Sequence, residues 1–131
     1  MALRTVIVDD NPAFLDAATS LLEREGLTVV GTASSSDGAV GKVRELLPDL
    51  VLVDVMLGGD SGFELARRLA EVDLGPTVVL ISTHAESDFV DLISETPAAG
   101  FVSKWDLSAS AIRRILDDPG SATADDARDS G

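Results

Sequence analysis

The chain has 131 residues and no cysteine, so it is long enough for one domain with a hydrophobic core but has no disulfide framework. Its 23 acidic residues outnumber 10 lysines and arginines, and the formal net charge of −13 disfavours binding to nucleic acid or to anionic membranes. Neither a signal peptide nor a run of about 20 apolar residues is recognisable in the sequence. We therefore expect a cytoplasmic protein with no membrane contact.

Short apolar runs alternate with longer amphipathic stretches along the chain, which is typical of an α/β fold with a parallel sheet. The run "LVLV" before Asp54 has no polar face, as expected for a strand buried on both sides. The pattern predicts five strands, at residues 5–8, 28–31, 50–53, 78–81 and 100–103, each followed by a helix.

The first three helices have recognisable start or stop signals. Asn11 and Pro12 suit the N-cap and first position of a helix that Gly26 ends. The second is predicted at 36–47 and is ended by Pro48. Ser61 and Glu64 have the spacing of a capping box, so the third helix begins there and buries its apolar face, Phe63, Ala66 and Leu69.

The last third of the chain is less regular. A short helix is predicted at about 87–96, and a fifth begins near Ser108 with Ile112, Ile115 and Leu116 on one face. Residues 119–131 have no apolar period, so we expect a domain at 1–118 followed by a disordered acidic tail or the start of a linker.

Polar residues stand at the ends of four predicted strands. Asp9 and Asp10 follow the first strand and Asp54 the third, while Ser82 and Thr83 follow the fourth and Lys104 the fifth. Parallel strands end at one edge of the sheet, where open α/β folds bind their ligands. Three carboxylates placed together favour a hard divalent cation such as Mg²⁺, and the serine and the lysine suit anionic oxygens. One carboxylate is then a candidate nucleophile for a phosphoryl group.

Each of these residues taken alone has a simpler interpretation. An aspartate at a strand end is equally a turn or cap residue, Ser82 alone fits a cap, and Lys104 alone fits a solvated surface. The ordered set is what indicates function.

With these residues in place, the sequence resembles the receiver domain of two-component response regulators. The matching segments are "VIVDDNP", "DLVLVDVMLGGDSGFEL", "VVLIST" and "GFVSKWDLS", in family order and at family spacing. The resemblance implies a doubly wound, flavodoxin-like five-stranded parallel sheet of order 2-1-3-4-5, and a phosphoaccepting switch that is not an enzyme beyond its own phosphorylation and dephosphorylation.

The resemblance also assigns roles to individual residues. Asp54 matches the phosphoacceptor, and Mg²⁺ would be held by Asp9, Asp10, Asp54 and the backbone carbonyl of Met56. Ser82 and Lys104 match the residues that bind the phosphoryl group, and Phe101 matches the switch aromatic, although an ordinary core aromatic is equally compatible. The side chains of Met56, Thr83 and His84 occupy positions that tune phosphoryl lifetime in the family, although the simpler and favoured interpretation of His84 alone is an exposed loop residue.

Partners follow from the same resemblance. A sensor histidine kinase would donate the phosphoryl group, which would alter the surface of the fourth helix and fifth strand, and a homodimer through the fourth helix, fifth strand and fifth helix is possible. The chain is then either a stand-alone receiver or the N-terminal part of a transcriptional regulator. The segments "VDDNPAFL" and "KWDLS" favour the transcription-factor branch, in which DNA binding belongs to a separate C-terminal domain.

Three positions depart from the family pattern. Gly58 replaces a common proline, which predicts a more mobile metal-binding loop. Pro97 replaces a common glycine, so the fourth helix should end differently. Trp105 follows Lys104, where it would shield the site, contact a partner or pack against the fifth helix.

Other classes of protein remain alternatives at this point. A phosphohydrolase of the haloacid dehalogenase type also uses an aspartate nucleophile, but it requires a second aspartate where this chain has Met56. A nucleotide- or flavin-binding domain would need a glycine-rich loop in place of "DDNP". A degenerate receiver acting through protein contacts alone fits an intact acidic site less well.

Overall fold

A computed structural model of the chain describes residues 3–72, 75–83 and 89–117. Five parallel strands form its main sheet: β1 (Arg4–Val8), β2 (Thr28–Ala33), β3 (Leu50–Asp54), β6 (Thr77–Ser82) and β7 (Gly100–Ser103). Their spatial order is β2-β1-β3-β6-β7. Counting only these five in chain order gives 2-1-3-4-5, which confirms the predicted doubly wound α/β fold.

A hairpin that the sequence analysis did not predict follows β3. It consists of β4 (Met56–Leu57) and β5 (Asp60–Ser61), which pair antiparallel, with Met56 opposite Ser61. Gly58 and Gly59 form its two-residue turn, a dipeptide that is a recognised hairpin signal.

Five helices connect the strands: α1 (Pro12–Arg24), α2 (Ser36–Leu46), α3 (Gly62–Ala70), α4 (Val90–Ser94) and α5 (Ala109–Asp117). The central strand β3 is buried on both faces, as predicted, because its alternate residues belong to two cores. Val51 and Val53 pack in the core that includes α2 and α3, whereas Leu50 and Leu52 pack in the core that includes α1 and α5.

The predicted helix starts agree with the structure. Asn11 caps α1, its side-chain oxygen accepting from the N–H groups of Ala13 and Phe14 at 3.0 and 3.3 Å. Ser61 caps α3 by accepting from Phe63 and Glu64. The carboxylate of Glu64 forms an ion pair with Arg67 at 3.1 Å on the exposed surface of α3.

Helix α4 ends at Ser94, two residues before the predicted end at 96, and residues 84–88, which include the predicted start at 87, lie outside the described part of the chain. It ends at Ser94 with Glu95 in an ordinary right-handed conformation, and the hydroxyl of Thr96 donates to the carbonyl of Leu92. The helix therefore ends before Pro97 without a residue of positive φ among those described, as expected for a chain that lacks the family glycine. The predicted tail from 119 onwards also lies outside the described residues.

Candidate functional site

Three carboxylates meet at the carboxyl edge of the sheet. Asp9 follows β1, Asp54 is the last residue of β3, and Asp10 follows Asp9. One oxygen from each lies within 4.8 Å of the others. Asp9 is fully buried and Asp54 is 7% exposed, whereas Asp10 is open to solvent. The sheet thus brings together the acidic residues that the sequence analysis placed at one edge.

The ammonium of Lys104 lies between the two buried carboxylates. Its Nζ is 2.5 Å from Oδ2 of Asp9 and 3.1 Å from Oδ2 of Asp54. It also lies 4.2 Å from the ring centroid of Phe14 on α1, a cation–π contact. The sequence analysis missed Phe14, because helix periodicity shows that a residue faces the core but not which side chain it meets there.

Backbone N–H groups hold the other oxygen of each buried carboxylate. The N–H of Asn11 donates to Oδ1 of Asp9 at 2.8 Å, and the N–H of Met56 donates to Oδ1 of Asp54 at 3.1 Å. Both bonds reach two residues along the chain, the spacing of an Asx turn. Apart from its ion pair with Lys104, Oδ2 of Asp9 is buried without a hydrogen-bond partner among the described residues.

Burial and charge shift the ionisation of two groups in this cluster. Burial raises the pKa of the Asp54 carboxyl above its ordinary value; the N–H of Met56 and the ammonium of Lys104 lower it without cancelling that effect. Burial lowers the pKa of Lys104, but its interactions with the carboxylates of Asp9 and Asp54 outweigh burial, and the net shift is upward. Lys104 therefore stays protonated, and one cation faces three acidic groups.

The fourth strand of the sheet supplies Ser82 at this edge. Ser82 is 1% exposed and ends β6, one position beyond Ile81, the register partner of Asp54. Thr83 follows it and is exposed. His84 lies outside the described residues.

Phe101 lies on β7 in a row of aromatic rings behind the site. Its ring centroid is 6.4 Å from that of Phe89, which is 5.7 Å from that of Phe63 on α3. Phe101 is half-buried and packs against the same core as α2 and α3. Both predicted interpretations of Phe101, core aromatic and switch residue, are compatible with this position.

Trp105 is the residue that the sequence analysis placed least well. The interpretation that it packs against the fifth helix is wrong, because its side chain is 80% exposed. Its indole Nε1 donates to the carbonyl of Thr83 at 3.3 Å, so the ring lies across the ends of β6 and β7. A short 3₁₀ turn, Lys104–Asp106, directs Trp105 outward while Lys104 points into the site.

Gly58 lies in the segment for which the sequence analysis expected a more mobile metal-binding loop, and that expectation stays a prediction. It has φ +63°, a conformation that proline cannot adopt, and it sits in the turn of the paired hairpin. The segment that follows Asp54 is thus a hydrogen-bonded hairpin.

The family model described as "Response regulator receiver domain" matches residues 5–124. The chain belongs to the response regulator receiver family. The receiver is 35% identical over 103 residues to the response regulator GacA of Pseudomonas viridiflava, covering 78% of this chain and 48% of GacA. It is 38% identical over 108 residues to the DNA-binding response regulator MtrA of Mycolicibacterium smegmatis, covering 79% of this chain and 45% of MtrA.

Solved structures agree with the family. The signal receiver domain of the response regulator NarL from Mycobacterium tuberculosis superposes with a TM-score of 0.78 at 29% identity, covering 90% of this chain and 96% of that one. The receiver spans about half the length of GacA and MtrA. In the part of the chain that the structure describes, no helix is long and apolar enough to span a membrane.

Proposed function

We propose that Asp54 accepts a phosphoryl group from a phosphohistidine of a sensor histidine kinase. The observation that carries the proposal is the position of Lys104, whose ammonium touches Asp54 and Asp9 in a cluster of three carboxylates. Receivers of this family act with histidine kinases, which makes a phosphohistidine the expected donor. We expect the receiver itself to be a signalling phosphoacceptor and not an enzyme acting on other substrates.

The chemistry requires an in-line displacement at phosphorus. A carboxylate oxygen of Asp54 forms the new P–O bond as the P–N bond to the kinase imidazole breaks, and the electron pair of that bond stays on the nitrogen. The N–H of Met56 fixes the orientation of the attacking carboxylate. The ammonium of Lys104 already lies beside Asp54 and would form an ion pair with the phosphoryl oxygens once they are attached. The buried hydroxyl of Ser82 would donate a hydrogen bond to the same oxygens.

The donor set fits Mg²⁺. Asp9 presents a buried oxygen whose partner among the described residues is the ammonium of Lys104, and Asp10 and Asp54 offer oxygens within 4.8 Å of it. These carboxylates, with the Met56 carbonyl, are the hard oxygen ligands that Mg²⁺ prefers, and the exposed Asp10 side leaves room for water. Bound there, Mg²⁺ would supply positive charge against the charge that develops on the phosphoryl oxygens.

Signalling would then depend on the end of β6 and on Phe101. If Ser82 moves toward the phosphoryl group, the space beside β7 changes, and the half-buried Phe101 can turn inward against Phe89. Helix α4 packs at this face and exposes Val90 and Leu92. We propose this surface as the output surface, including any homodimer formed through α4, β7 and α5.

Other expectations for the whole protein remain proposals of the same kind. We assign residues 1–118 to the receiver and residues 119–131 to a linker or tail. The lifetime of the phosphoryl group would depend on Met56, Thr83 and His84. With a net charge of −13 the receiver itself would not bind DNA, and MtrA, a relative named as DNA-binding, is about twice as long as the matched region. We expect the protein to act in the cytoplasm.

Phosphorylation by a small donor tests the proposal directly. The receiver is incubated with Mg²⁺ and phosphoramidate, and intact-mass spectrometry should show one added phosphoryl group. Asp54→Asn should abolish the adduct. Asp16→Asn is the matched control, because Asp16 is an exposed aspartate on α1 outside the carboxylate cluster, and it should leave the adduct unchanged.

Two results would contradict the proposal. One is a wild-type protein without an adduct at saturating donor and Mg²⁺. The other is an adduct that persists in Asp54→Asn, because the phosphoryl group would then be on another residue.

A further inference from the structure

Gly58 touches the carboxylate cluster from the hairpin side. A Cβ atom built at Gly58 would lie 3.1 Å from Oδ2 of Asp10, closer than ordinary van der Waals contact. The residue also has φ +63°, a backbone conformation that residues with a Cβ adopt only at an energetic cost. The neighbouring Gly59 differs on both counts, since its Cβ would meet nothing within 4 Å and its φ is not positive.

The hairpin around Gly58 is fixed at several points. Its strands pair through Met56 with Ser61 and Leu57 with Asp60, and Leu57 is buried. Asp60 accepts from the N–H of Ser36 at the start of α2, at 3.2 Å. The base of the hairpin is equally constrained, because a Cβ at Gly62 would lie 2.0 Å from the carbonyl oxygen of Asp54. The hairpin therefore has little freedom to move away from a new side chain.

Asp10 has more freedom to move than the hairpin. Its side chain is exposed, and no hydrogen bond or ion pair within the described ranges holds its carboxylate. A methyl group at position 58 would therefore be accommodated by displacement of the Asp10 carboxylate. That displacement, a few tenths of an ångström, would change the position of the Asp10 oxygen relative to the oxygens of Asp9 and Asp54.

We propose that Gly58 is a positioning residue for the metal site, keeping open the space in which the Asp10 carboxylate faces Asp9 and Asp54. This inference rests on the proposed function in one respect, that the carboxylates bind Mg²⁺. The role of Gly58 is a separate claim: this residue, which stands where the family commonly has proline, acts through the position of the Asp10 carboxylate. The pairing of β4 with β5, and not a proline ring, constrains the backbone around Gly58.

Isothermal titration calorimetry with MgCl₂ alone tests this inference without any phosphoryl transfer. We expect Gly58→Ala to weaken Mg²⁺ binding about tenfold, the lower end of the effect of residues that orient metal ligands. Gly59→Ala should bind Mg²⁺ as the wild type does. Gly58→Asn separates strain from contact, because asparagine tolerates positive φ but still places a Cβ beside Asp10. It should also weaken binding, and it supplies a folded variant if Gly58→Ala is unstable.

A double-mutant cycle shows whether Gly58 acts through Asp10. Asp10→Ala alone should weaken Mg²⁺ binding, and adding Gly58→Ala should weaken it no further. An equal loss in both backgrounds would overturn the inference, as would wild-type affinity in Gly58→Ala. A wild-type protein that binds no Mg²⁺ would overturn the metal site itself, and with it this inference, whereas normal Mg²⁺ binding without phosphorylation would count against the proposed function alone.

Discussion

The ammonium of Lys104 lies 2.5 Å from Oδ2 of Asp9, a fully buried carboxylate that follows the first strand of the sheet. Ninety-five residues separate the two in sequence, and the parallel topology brings their strand ends together. The side chain of Lys104 is 12% exposed, so the pair is largely shielded from water. Removing one partner of such a pair leaves an uncompensated buried charge, which costs more than the pair itself contributes.

Lys104→Met should therefore destabilise the receiver in the absence of Mg²⁺. We expect a loss of about 3 kcal/mol in the free energy of unfolding, because Asp9 and Asp54 both lose their cation. Urea unfolding in the presence of a chelator measures it. Lys42→Met is the matched control, since Lys42 on α2 makes no ion pair with the residues that the structure describes. Equal midpoints for the two variants would contradict the prediction.

Asp54→Asn should have the opposite effect on stability. Burial raises the pKa of Asp54, so its ionised form destabilises the fold relative to its protonated form. The favourable contribution of the protonated group is present below the ordinary pKa of 3.8 and is lost as pH rises through the higher pKa of the folded state. In a chelator, Asp54→Asn should thus gain stability over the wild type as pH rises from about 4 to about 7.

The comparison between the two proteins isolates the site around Asp54. Carboxylates far from the site titrate alike in both proteins and cancel in the difference, which reports Asp54 together with its charged neighbours Asp9 and Lys104. Urea unfolding at several pH values measures the difference in the free energy of unfolding. A difference that stays constant with pH, or that falls as pH rises, would show that Asp54 ionises at least as easily in the folded chain as in the unfolded one, and would contradict the prediction.

The sequence predicted the sheet and the placement of its polar edge for a definite physical reason. Strands with no polar face must be buried on both sides, and parallel strands end at one edge, so Asp9, Asp54 and Lys104 had to converge. The structure shows the convergence; the chemical roles of these residues remain proposals.

The features that were missed depend on contacts made in three dimensions. Phe14 is an ordinary apolar position in the pattern of α1, and only the packed fold places its ring beside Lys104. Trp105 was assigned to packing because a large aromatic is usually buried, but the 3₁₀ turn directs it outward. The Gly58-Gly59 pair is a recognised signal for a two-residue hairpin turn. The sequence analysis missed the hairpin because it considered Gly58 only as a replacement for the family proline.

A third prediction concerns Leu47, where the backbone has a strained conformation. Leu47 follows α2 with φ +48°, and its side chain is half exposed. Leu47→Gly should stabilise the receiver by about 1 kcal/mol, because glycine adopts this conformation without a Cβ clash. The bond from Arg4 to the Leu47 carbonyl involves the backbone and is retained.

Glycine placed within α2 is the control for that substitution. Glu45→Gly, two residues earlier in the last turn of α2, should destabilise the receiver by about 0.5 kcal/mol, because a residue with helical φ gives glycine no such advantage. Thermal unfolding measures both variants. Destabilisation in both would show that the apolar contacts of Leu47 outweigh its backbone strain.

The last prediction uses Trp105, the single tryptophan of the chain, as a reporter of metal binding. Its indole is bonded to the carbonyl of Thr83, and its backbone N–H is bonded to Ser103. It also follows Lys104 directly, so a cation that competes with Lys104 for Asp9 and Asp54 should shift the turn that carries the indole. We expect Mg²⁺ to change the tryptophan emission along a saturable curve.

The control for this reporter is the same titration with NaCl at matched ionic strength, because screening alone also changes exposed charges. Asp9→Asn should lose most of the Mg²⁺ response, since Asp9 is the fully buried member of the three-carboxylate cluster. Calorimetry run in parallel gives the amount of Mg²⁺ bound. Saturable binding by calorimetry with unchanged emission would show that the turn from Lys104 to Asp106 does not respond to the metal, and that Trp105 is a surface residue with no link to the site.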